Sequence, residues 1–145
     1  MKCWIVDIDG TVADNGHRIH YITNGQKDWD SWHKYAHSDK PIYPIVQMLR
    51  MARENGIKIV FCTGRDEKCE KDTLDWFFEH DIPHDALYMR YGGDRRDDDV
   101  VKYDLLEDIL RDGYEPILVI DDRKRVVKMW RENGVRCLQV AEGNF

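Results

Sequence analysis

The stretch Cys3–Thr11 reads CWIVDIDGT and places two carboxylates directly after an apolar run. Cys3–Ile8 is a short apolar run bounded by a turn signal, which is typical of a buried strand. Asp7 and Asp9 stand at its carboxyl end, and a glycine and a threonine follow. Carboxylates this close raise the pKa of one another unless a cation balances them. The stretch therefore predicts a buried strand with a charged site at its end.

Four more apolar runs have the character of strands, and helical patterns alternate with them. The other predicted strands are Ile57–Cys62, Ala86–Met89, Ile117–Ile120 and Val135–Val140. The predicted helices cover Pro44–Ala52, Glu67–His80, Asp98–Arg111 and Arg123–Asn133. The side chains assigned to the core of the second helix are Leu74, Trp76, Phe77 and Phe78. Alternating strands and helices predict an α/β fold with a central parallel sheet of about five strands and helices on both faces.

The composition suits one folded domain. The chain has 145 residues, of which 42% are apolar and 34% charged, so it is long enough to bury a core and too apolar for a disordered protein. We expect a single domain over residues 1–145. The net charge of −6 argues against general coating of nucleic acid, which relies on Lys and Arg, but it leaves room for a local basic pocket.

The cysteines and the apolar segments indicate a reducing compartment. Cys3, Cys62, Cys69 and Cys137 form no CxxC pair, and three of them lie in or beside apolar runs, where cysteine is usually buried. The sequence shows no signal peptide, and no apolar segment approaches the ~18–20 residues of a membrane helix. We expect a cytoplasmic protein without structural disulfides or a membrane partner, and the oligomeric state is left open.

Residues 13–40 form the one irregular stretch of the sequence. A segment of about 28 residues without clear periodicity is usually functional or disordered, and we interpret it as a small flap or substrate loop. Trp29, Trp32 and Tyr35 have helix-like spacing, and they either stack on a nucleobase or anchor the flap to the core. The histidines of this segment do not have the spacing of zinc ligands, so surface or substrate-loop roles are favoured for His17, His20, His33 and His37.

The predicted strands deliver polar residues to one edge of the sheet. Ligands of open α/β sheets bind beyond the carboxyl ends of the strands. Besides Asp7 and Asp9, this edge receives Thr63-Gly64-Arg65, Arg90 and Asp121-Asp122-Arg123, and Lys102 lies near the start of the third long helix. Mg²⁺ is a suitable counter-ion for such carboxylates, since it prefers oxygen ligands and substrate phosphate.

The same edge has the groups that phosphoryl transfer requires. Thr63 and Gly64 precede a helix, where backbone N–H groups favour an anion. Four arginines could hold phosphate oxygens, namely Arg18, Arg65, Arg90 and Arg123. A carboxylate can attack phosphorus to form an aspartyl-phosphate, and a neighbouring acid can protonate the leaving oxygen and later activate water. The pattern therefore predicts phosphoryl transfer at a site that holds a metal ion.

Four motifs in order resemble those of the HAD (haloacid dehalogenase-like) phosphatases. They are DIDGT, TGR, the lysine of DDVVK, and IDD, and they span most of the chain from Asp7 to Asp122. The resemblance implies the Rossmann-like three-layer fold of that family. The segments RRDDDVVK, VIDDRKRVVKMWRENGV and LQVAEGNF further resemble the 3′-phosphatase domain of phage-type polynucleotide kinase-phosphatases. This implies a Mg²⁺-dependent enzyme that removes a 3′-phosphate from a nucleic-acid end or nucleotide.

The resemblance also implies a role for each matched position. Asp7 would be the nucleophile and, with Asp122, a Mg²⁺ ligand. Asp9 would be the general acid–base and would bind the metal through its backbone carbonyl. Thr63 and Lys102 would hold the transferring phosphoryl group. The remaining matched positions are the substrate-binding Arg18, Gly64, Arg65, Arg90 and Arg123, and the acidic Asp98 and Asp121 that would support the cation.

The sequence departs from the family in one motif, and two alternative functions stay open. No GxxxxGK[ST] motif occurs, so kinase activity is not expected. The intervals between motifs are too short for a large cap domain, so we expect a minimal cap and an open site that admits a bulky substrate. A 5′-nucleotidase or small-phosphoester phosphatase would use the same residues. A binding module on an inactive HAD scaffold is less favoured, because Asp7 and Asp9 are both present.

Overall fold

A computed structural model describes residues 1–23, 25 and 27–145. The strands within these residues are β1 (Lys2–Val6), β2 (Ala13–Asp14), β3 (Lys40–Pro41), β4 (Lys58–Asp66), β5 (Ala86–Arg90), β6 (Glu115–Arg123) and β7 (Cys137–Gly143). The α-helices are α1 (His20–Thr23), α2 (Trp29–Lys34), α3 (Tyr43–Glu54), α4 (Glu70–Glu79), α5 (Asp98–Arg111) and α6 (Lys124–Glu132). Across the described ranges, no helix combines the length and apolar character needed to cross a membrane.

Five strands form the central sheet in the order β5-β4-β1-β6-β7, and each neighbouring pair is parallel. The strand that carries the opening motif is therefore central, with β4 and β6 on either side. In this register Val6 lies beside Phe61 of β4 and Ile120 of β6. Asp7, the residue that follows, comes out between the ends of two neighbouring strands. The predicted α/β fold with a five-stranded parallel sheet is confirmed.

The sheet separates two hydrophobic cores, because alternate residues of each strand point to opposite faces. Cys3 and Ile5 of β1 face the core that α5 and α6 cover, where Trp130 is fully buried. Val6 and Ile8 face the other core, which α3 and α4 cover. Both faces of the sheet are therefore covered, as expected of a parallel sheet. Cys3, Cys62 and Cys137 are buried, as predicted for cysteines in or beside apolar runs.

Phe78 is the clearest error in the predicted core, since its side chain is 90% exposed. Residues at i, i+3 and i+4 share one side of a helix, and Thr73, Trp76 and Phe77 occupy the buried side of α4. Phe78 follows Phe77 by about 100° of helical rotation, which turns it to the solvent. Leu74 is half-buried at the margin of the core.

Several element boundaries also differ from the prediction. The last strand begins at Cys137 rather than Val135, because the Val135 N–H still donates to the Trp130 carbonyl at the end of α6. The predicted helix over 67–80 begins as a 3₁₀ turn at Glu67–Cys69 before α4. The strand ends β4 and β6 extend further than predicted and include the polar residues of the motifs.

Residues 13–40, called the flap below, are more ordered than their sequence predicts. A short antiparallel pairing of β2 with β3 closes the two ends of the flap, with Ala13 opposite Pro41. The helix-like spacing that begins at Trp29 corresponds to α2, and the Asp28 carboxylate caps this helix by accepting from the Ser31 N–H at 3.0 Å. The indole N–H of Trp76 donates to the Asp39 carbonyl at 2.9 Å, which ties the flap to α4. The flap prediction also covered Asn24 and Gln26, which lie outside the described residues.

Candidate active site

Asp7 lies at the carboxyl end of β1, in the middle of the sheet edge, and is almost completely buried. Its Oδ1 accepts from the Lys102 ammonium at 2.8 Å, and its Oδ2 accepts from the Thr11 hydroxyl at 3.1 Å. Its backbone N–H donates to the Ile120 carbonyl of β6 at 3.0 Å. The carboxylate is therefore fixed on both oxygens and at its main chain, which is the preorganisation a nucleophile needs.

Three carboxylates converge at this point. Asp7, Asp121 and Asp122 each offer an oxygen, and these oxygens lie within 4.8 Å of one another. Asp121 accepts from Lys102 at 2.9 Å and from the Trp130 indole N–H at 3.1 Å. Residues of β1 and β6 meet here because these two strands are neighbours.

The cluster is short of positive charge. Burial and the Asp121 carboxylate raise the pKa of Asp7 well above its usual value, although Lys102 opposes the shift. Burial and Asp121 also raise the pKa of Asp122 to about 6. One ammonium therefore does not neutralise three buried carboxylates. A donor set made only of oxygens with excess negative charge fits Mg²⁺, and Asp7, Asp121 and Asp122 are the side chains that would hold it.

Lys102 reaches the cluster from the first turns of α5 and is 1% exposed. Burial alone would lower the pKa of its ammonium, but Asp121 and Asp7 raise that pKa well above its usual value. The ammonium therefore stays charged at physiological pH. It lies where it balances the charge on Asp7, and its contact with a transferring phosphoryl group stays a prediction.

The glycine of the first motif is required by the packing of this cluster. Gly10 has a φ of +84°, a conformation that side chains other than glycine rarely adopt. A Cβ at this position would lie 2.1 Å from Oδ2 of Asp122. Gly10 therefore lets the loop after β1 approach the end of β6 closely.

Asp9 faces a second group of charges on the flap side. Arg65 makes a bidentate contact with it, from Nε at 3.0 Å and from Nη2 at 2.7 Å, and Arg18 Nη2 donates to the same carboxylate. Burial would raise the pKa of Asp9, but the two guanidinium groups outweigh it and hold the pKa well below its usual value. Asp9 is therefore an ionised carboxylate in this arrangement.

Arg18 and Arg65 are predicted phosphate ligands, but here their donors are directed to protein groups. Arg18 is fully buried and bonds to Asp39 through Nε at 2.8 Å and Nη2 at 2.5 Å. Arg65 Nη1 donates to the Thr73 hydroxyl at 3.1 Å. Two guanidinium groups are balanced by the carboxylates of Asp9 and Asp39. Direct phosphate contacts from these arginines stay a prediction.

Thr63 and Gly64 lie at the end of β4, as predicted. The Thr63 hydroxyl is buried and accepts from the Arg65 N–H at 3.1 Å. The Gly64 carbonyl accepts from Arg90 Nε at 2.7 Å. A Cβ on Gly64 would lie 1.7 Å from Oδ1 of Asp98, so a larger residue here would displace the Asp98 carboxylate.

Asp98 stands apart from the three-carboxylate cluster. It contacts Arg90 Nη2 at 3.2 Å and Arg123 Nη1 at 3.6 Å, so it bridges two arginines of the cleft wall. We predicted Asp98 among the groups that support the cation, and the cluster of side-chain oxygens does not include it. This position favours a role in holding Arg90 and Arg123.

A cleft of about 820 Å³ connects these groups. A volume of this size lies within the ~300–1,000 Å³ range of small-molecule sites. Its floor is the cluster around Asp7, and its walls come from the flap and from the loop that follows β5. The flap contributes Ile22, Lys27, Trp29, Trp32 and His33, and the opposite wall contributes Arg90 and residues 92–98.

The flap aromatic residues differ in their exposure, and base stacking stays a prediction. Trp32 is 4% exposed and the Arg18 guanidinium lies 4.0 Å from the centre of its ring, so it packs within the flap. Trp29 lines the cleft and is 41% exposed, so its ring is accessible to a substrate. Tyr35 stacks on Tyr21 with ring centroids 5.7 Å apart. In the part of the chain that the structure describes, the flap histidines join no cluster of metal-ligating side chains.

Sequence reasoning missed three polar residues around the site. Asp39 is buried and accepts from both Arg18 and His17. Asn15 is nearly buried, its Nδ2 has no hydrogen-bond partner among the described residues, and it lies 3.5 Å from where a Gly10 Cβ would be. The signal for Thr11 was present in DIDGT, whereas Asp39 and Asn15 belong to no motif and meet the site only through the fold of the flap.

Comparisons with known proteins agree with this geometry. The protein-family model described as the polynucleotide kinase PNKP phosphatase domain matches residues 1–145 of this chain. A protein of Autographa californica nuclear polyhedrosis virus, named as a bifunctional polynucleotide kinase/RNA ligase, is 33% identical over 129 residues, which is 88% of this chain and 17% of the relative.

The fold is also similar to solved structures. A chain of the Pnkp1/Rnl/Hen1 RNA repair complex matches with a TM-score of 0.86 and 30% identity, covering 99% of this chain and 43% of that one. The class C acid phosphatase of Bacillus anthracis matches with a TM-score of 0.68 and 14% identity over 99% of this chain and 66% of that one, which shows the shared fold. The chain thus spans less than half the length of the RNA-repair relatives it matches. The chain belongs to the phosphatase-domain family of polynucleotide kinase PNKP, within the HAD-like fold.

Proposed function

We propose that residues 1–145 form one Mg²⁺-dependent phosphatase domain that removes a 3′-phosphate from a nucleic-acid end or nucleotide. The observation that carries the proposal is Asp7, a buried carboxylate at the end of the central strand, held by Lys102 at 2.8 Å beside Asp121 and Asp122. Membership of the PNKP phosphatase-domain family supports both the chemistry and the class of substrate. A cytoplasmic location stays a prediction.

In the first step an oxygen of Asp7 attacks phosphorus and the bond from phosphorus to the substrate oxygen breaks. Lys102 and Thr11 keep the Asp7 carboxylate in position for this attack. The leaving oxygen takes a proton from Asp9, which must have lost part of its contact with Arg18 and Arg65 to carry one. The products of this step are a free hydroxyl and an aspartyl-phosphate on Asp7.

In the second step Asp9, now a carboxylate, accepts a proton from water. The resulting hydroxide attacks phosphorus, the bond between phosphorus and Asp7 breaks, and inorganic phosphate leaves. The contacts of Asp9 with Arg65 and Arg18 stabilise its ionised form, which is the form this step requires at its start. A bound Mg²⁺ would supply charge neutralisation at the Asp7, Asp121 and Asp122 oxygens.

The cleft supports a nucleotide substrate. Trp29 offers an accessible aromatic face on the flap wall, and base stacking on such a face tolerates any base sequence. Arg90 and Arg123 line the opposite side of the cleft. The relatives named for polynucleotide processing and RNA repair support a nucleic-acid end over a small metabolite.

The test is phosphate release with Mg²⁺, with and without a chelator. The substrates are a 3′-phosphorylated oligonucleotide, its 5′-phosphorylated twin, and the 3′- and 5′-mononucleotides. We expect the 3′-phosphorylated oligonucleotide to be preferred and the chelator to abolish release. Preference for a 5′-mononucleotide would replace the proposal with a 5′-nucleotidase.

The nucleophile has its own control. The Asp7→Asn variant keeps the size of the side chain and is expected to lose phosphate release. If wild type releases no phosphate from any of these esters, a binding module on an inactive scaffold replaces the phosphatase. Full activity in Asp7→Asn would show that the nucleophile is elsewhere.

A further inference from the structure

A second concave surface, the α6 groove, lies outside the catalytic cleft. It has a volume of about 770 Å³ and is bounded by the outer side of α6, by β7 and by the residues that follow β7. The side chains that matter below are Lys124, Lys128 and Arg131 of α6, together with Phe145. None of them has a part in the proposed chemistry.

The α6 groove concentrates positive charge on an acidic protein. The chain has a net charge of −6, whereas the described residues that line the groove include four basic side chains and one acidic side chain, Glu132. The basic side chains are Lys124, Arg125, Lys128 and Arg131. Lys124 and Lys128 are exposed, and Lys128 lies 3.7 Å from Glu132 in an exposed pair. Such pairs contribute little, so the ammonium stays available to an anion. Arg131 is also exposed and uses one Nη2 bond to the Cys137 carbonyl at 3.0 Å.

The three cations form a stripe along the helix. Positions i, i+4 and i+7 of a helix share one side, and Lys124, Lys128 and Arg131 have this spacing. The stripe is about 10 Å long at ~1.5 Å per residue. A single strand, which is more extended than the ~3.4 Å rise per nucleotide of duplex DNA, places about two to three phosphates along this length. The groove therefore matches a repeated anion rather than a single charge.

The groove is continuous with the catalytic cleft. Phe145 lines both, and Arg123, which lines the cleft, immediately precedes α6. Arg123 Nε donates to the Phe145 carbonyl at 2.6 Å, and its guanidinium carbon lies 5.0 Å from the centre of the Phe145 ring. An extended ligand that leaves the cleft past Phe145 therefore meets the Lys124 end of the stripe.

We propose that the α6 groove binds the phosphodiester backbone on the 5′ side of the nucleotide whose 3′-phosphate is removed. The inference rests on the proposed function for its substrate and adds the path of the strand to it. The charge stripe selects a polyanion, and the shared Phe145 joins that path to the reacting phosphate. Contacts to backbone phosphates carry no information about the bases, so binding through the stripe is independent of base sequence and sensitive to salt.

The test compares substrates of different length in two charge-matched variants. Lys124→Ala/Lys128→Ala removes two charges from the stripe. Lys2→Ala/Lys58→Ala removes two charges from exposed positions at the amino ends of β1 and β4, the sheet edge opposite the cleft. For each protein, kcat/KM is measured for a 3′-phosphorylated oligonucleotide and for the 3′-mononucleotide, which has no phosphodiester on its 5′ side, and the ratio of the two values is compared.

We expect the groove variant to lower that ratio about tenfold at low salt, through KM, and the control variant to leave it at the wild-type value. Each lost phosphate contact removes a slope of about 0.7 from the dependence of log K on log salt for single strands. The groove variant should therefore reduce the salt slope of oligonucleotide binding by about 1.4, measured by fluorescence anisotropy on the Asp7→Asn background.

Failure of the inference differs from failure of the proposed function. If wild type prefers the 3′-phosphorylated oligonucleotide but the groove variant keeps the wild-type ratio and salt slope, the strand does not cross α6. If wild type shows no preference for that oligonucleotide, the proposed function fails first. A groove variant whose one defect is lost self-association in sizing chromatography would assign the groove to a second copy of the chain and overturn the inference.

Discussion

Lys102→Met tests whether one buried ammonium holds the acidic cluster together. The substitution keeps the length of the side chain and removes the charge that contacts Asp7 at 2.8 Å and Asp121 at 2.9 Å. Lys102 is 1% exposed, so both carboxylates lose a buried partner. Breaking a buried ion pair in this way costs about 3–5 kcal/mol. This is a large part of the ~5–15 kcal/mol by which a domain is stable, so the loss is easily measured.

The assay is urea unfolding monitored by tryptophan fluorescence. A chelator is present so that no divalent cation replaces the lost charge. Loss of the ammonium raises the pKa of Asp7 further above its unfolded value. A carboxyl whose pKa is raised on folding favours the folded state below its unfolded pKa, and that contribution is lost as the pH rises through its folded pKa. The destabilisation by Lys102→Met should therefore be largest at neutral pH and shrink as the pH falls.

Two controls make this result specific to the cluster. Lys71→Met removes an exposed lysine that pairs with Asp75 on α4 and should leave the urea midpoint unchanged. Adding Asp7→Asn to Lys102→Met removes one of the repelling charges and should recover about 0.5–3 kcal/mol of stability. If Lys102→Met unfolds at the same urea concentration as Lys71→Met, the Lys102 ammonium does not stabilise the negative charge of the three-carboxylate cluster.

Three further predictions follow from the same structure. Trp29→Ala should weaken oligonucleotide binding by about 1–3 kcal/mol while Trp29→Phe keeps most of it, measured by anisotropy; equal affinity in both variants would exclude stacking. The pKa of Asp122, raised to about 6, means that this carboxyl favours folding below about pH 4 and loses that effect as the pH rises through 6. Mg²⁺ should therefore raise the melting temperature more at pH 7 than at pH 5. An equal rise in melting temperature at both pH values would contradict binding of Mg²⁺ by Asp122. Phe77→Ala should cost about 3–5 kcal/mol in urea unfolding and Phe78→Ala less than about 0.5, and similar costs would refute the packing of α4.

The central strand and the three-carboxylate cluster follow from sequence because the pattern and the topology act together. Apolar runs locate β1 and β6, and alternation with helices requires the strands to be parallel. All carboxyl ends then lie at one edge, so Asp7 and Asp121–Asp122 must be near each other once β6 pairs with β1. Lys102 is buried beside Val101 and Leu105, on a helix whose position was predicted correctly at both ends.

The flap could not be derived in the same way. Its contacts join residues far apart in sequence without a periodic pattern, such as Arg18 with Asp39 and Trp76 with the Asp39 carbonyl. Its helices are short and its two strands pair over only two residues each. Elements this short do not produce a periodic apolar pattern in the sequence. The error at Phe78 has a different origin. Apolar side chains occur at exposed as well as buried positions, so the residue type alone does not predict burial.

The charges of the site divide into two groups with different balance, and this division links the predicted roles of Asp9 and the flap-side arginines. At the metal side, three carboxylates face one ammonium, which leaves room for a divalent cation. At the flap side, Arg18 and Arg65 are balanced by Asp9 and Asp39. A phosphate dianion therefore finds those guanidinium groups already occupied while Asp9 is ionised.

Protonation of Asp9 changes that balance. A neutral carboxyl binds a guanidinium less strongly than a carboxylate does. Uptake of a proton by Asp9 therefore frees N–H donors of Arg65. Asp39 does not take up these donors, because Arg65 Nη2 approaches its Oδ2 only to 4.0 Å. The released donors then face the cleft that receives the phosphate. The predicted roles of Asp9 as general acid and of Arg65 as phosphate ligand would thus both depend on this one proton. The arrangement with both arginines on Asp9 is the complementary state, in which the carboxylate is ready to accept a proton from water.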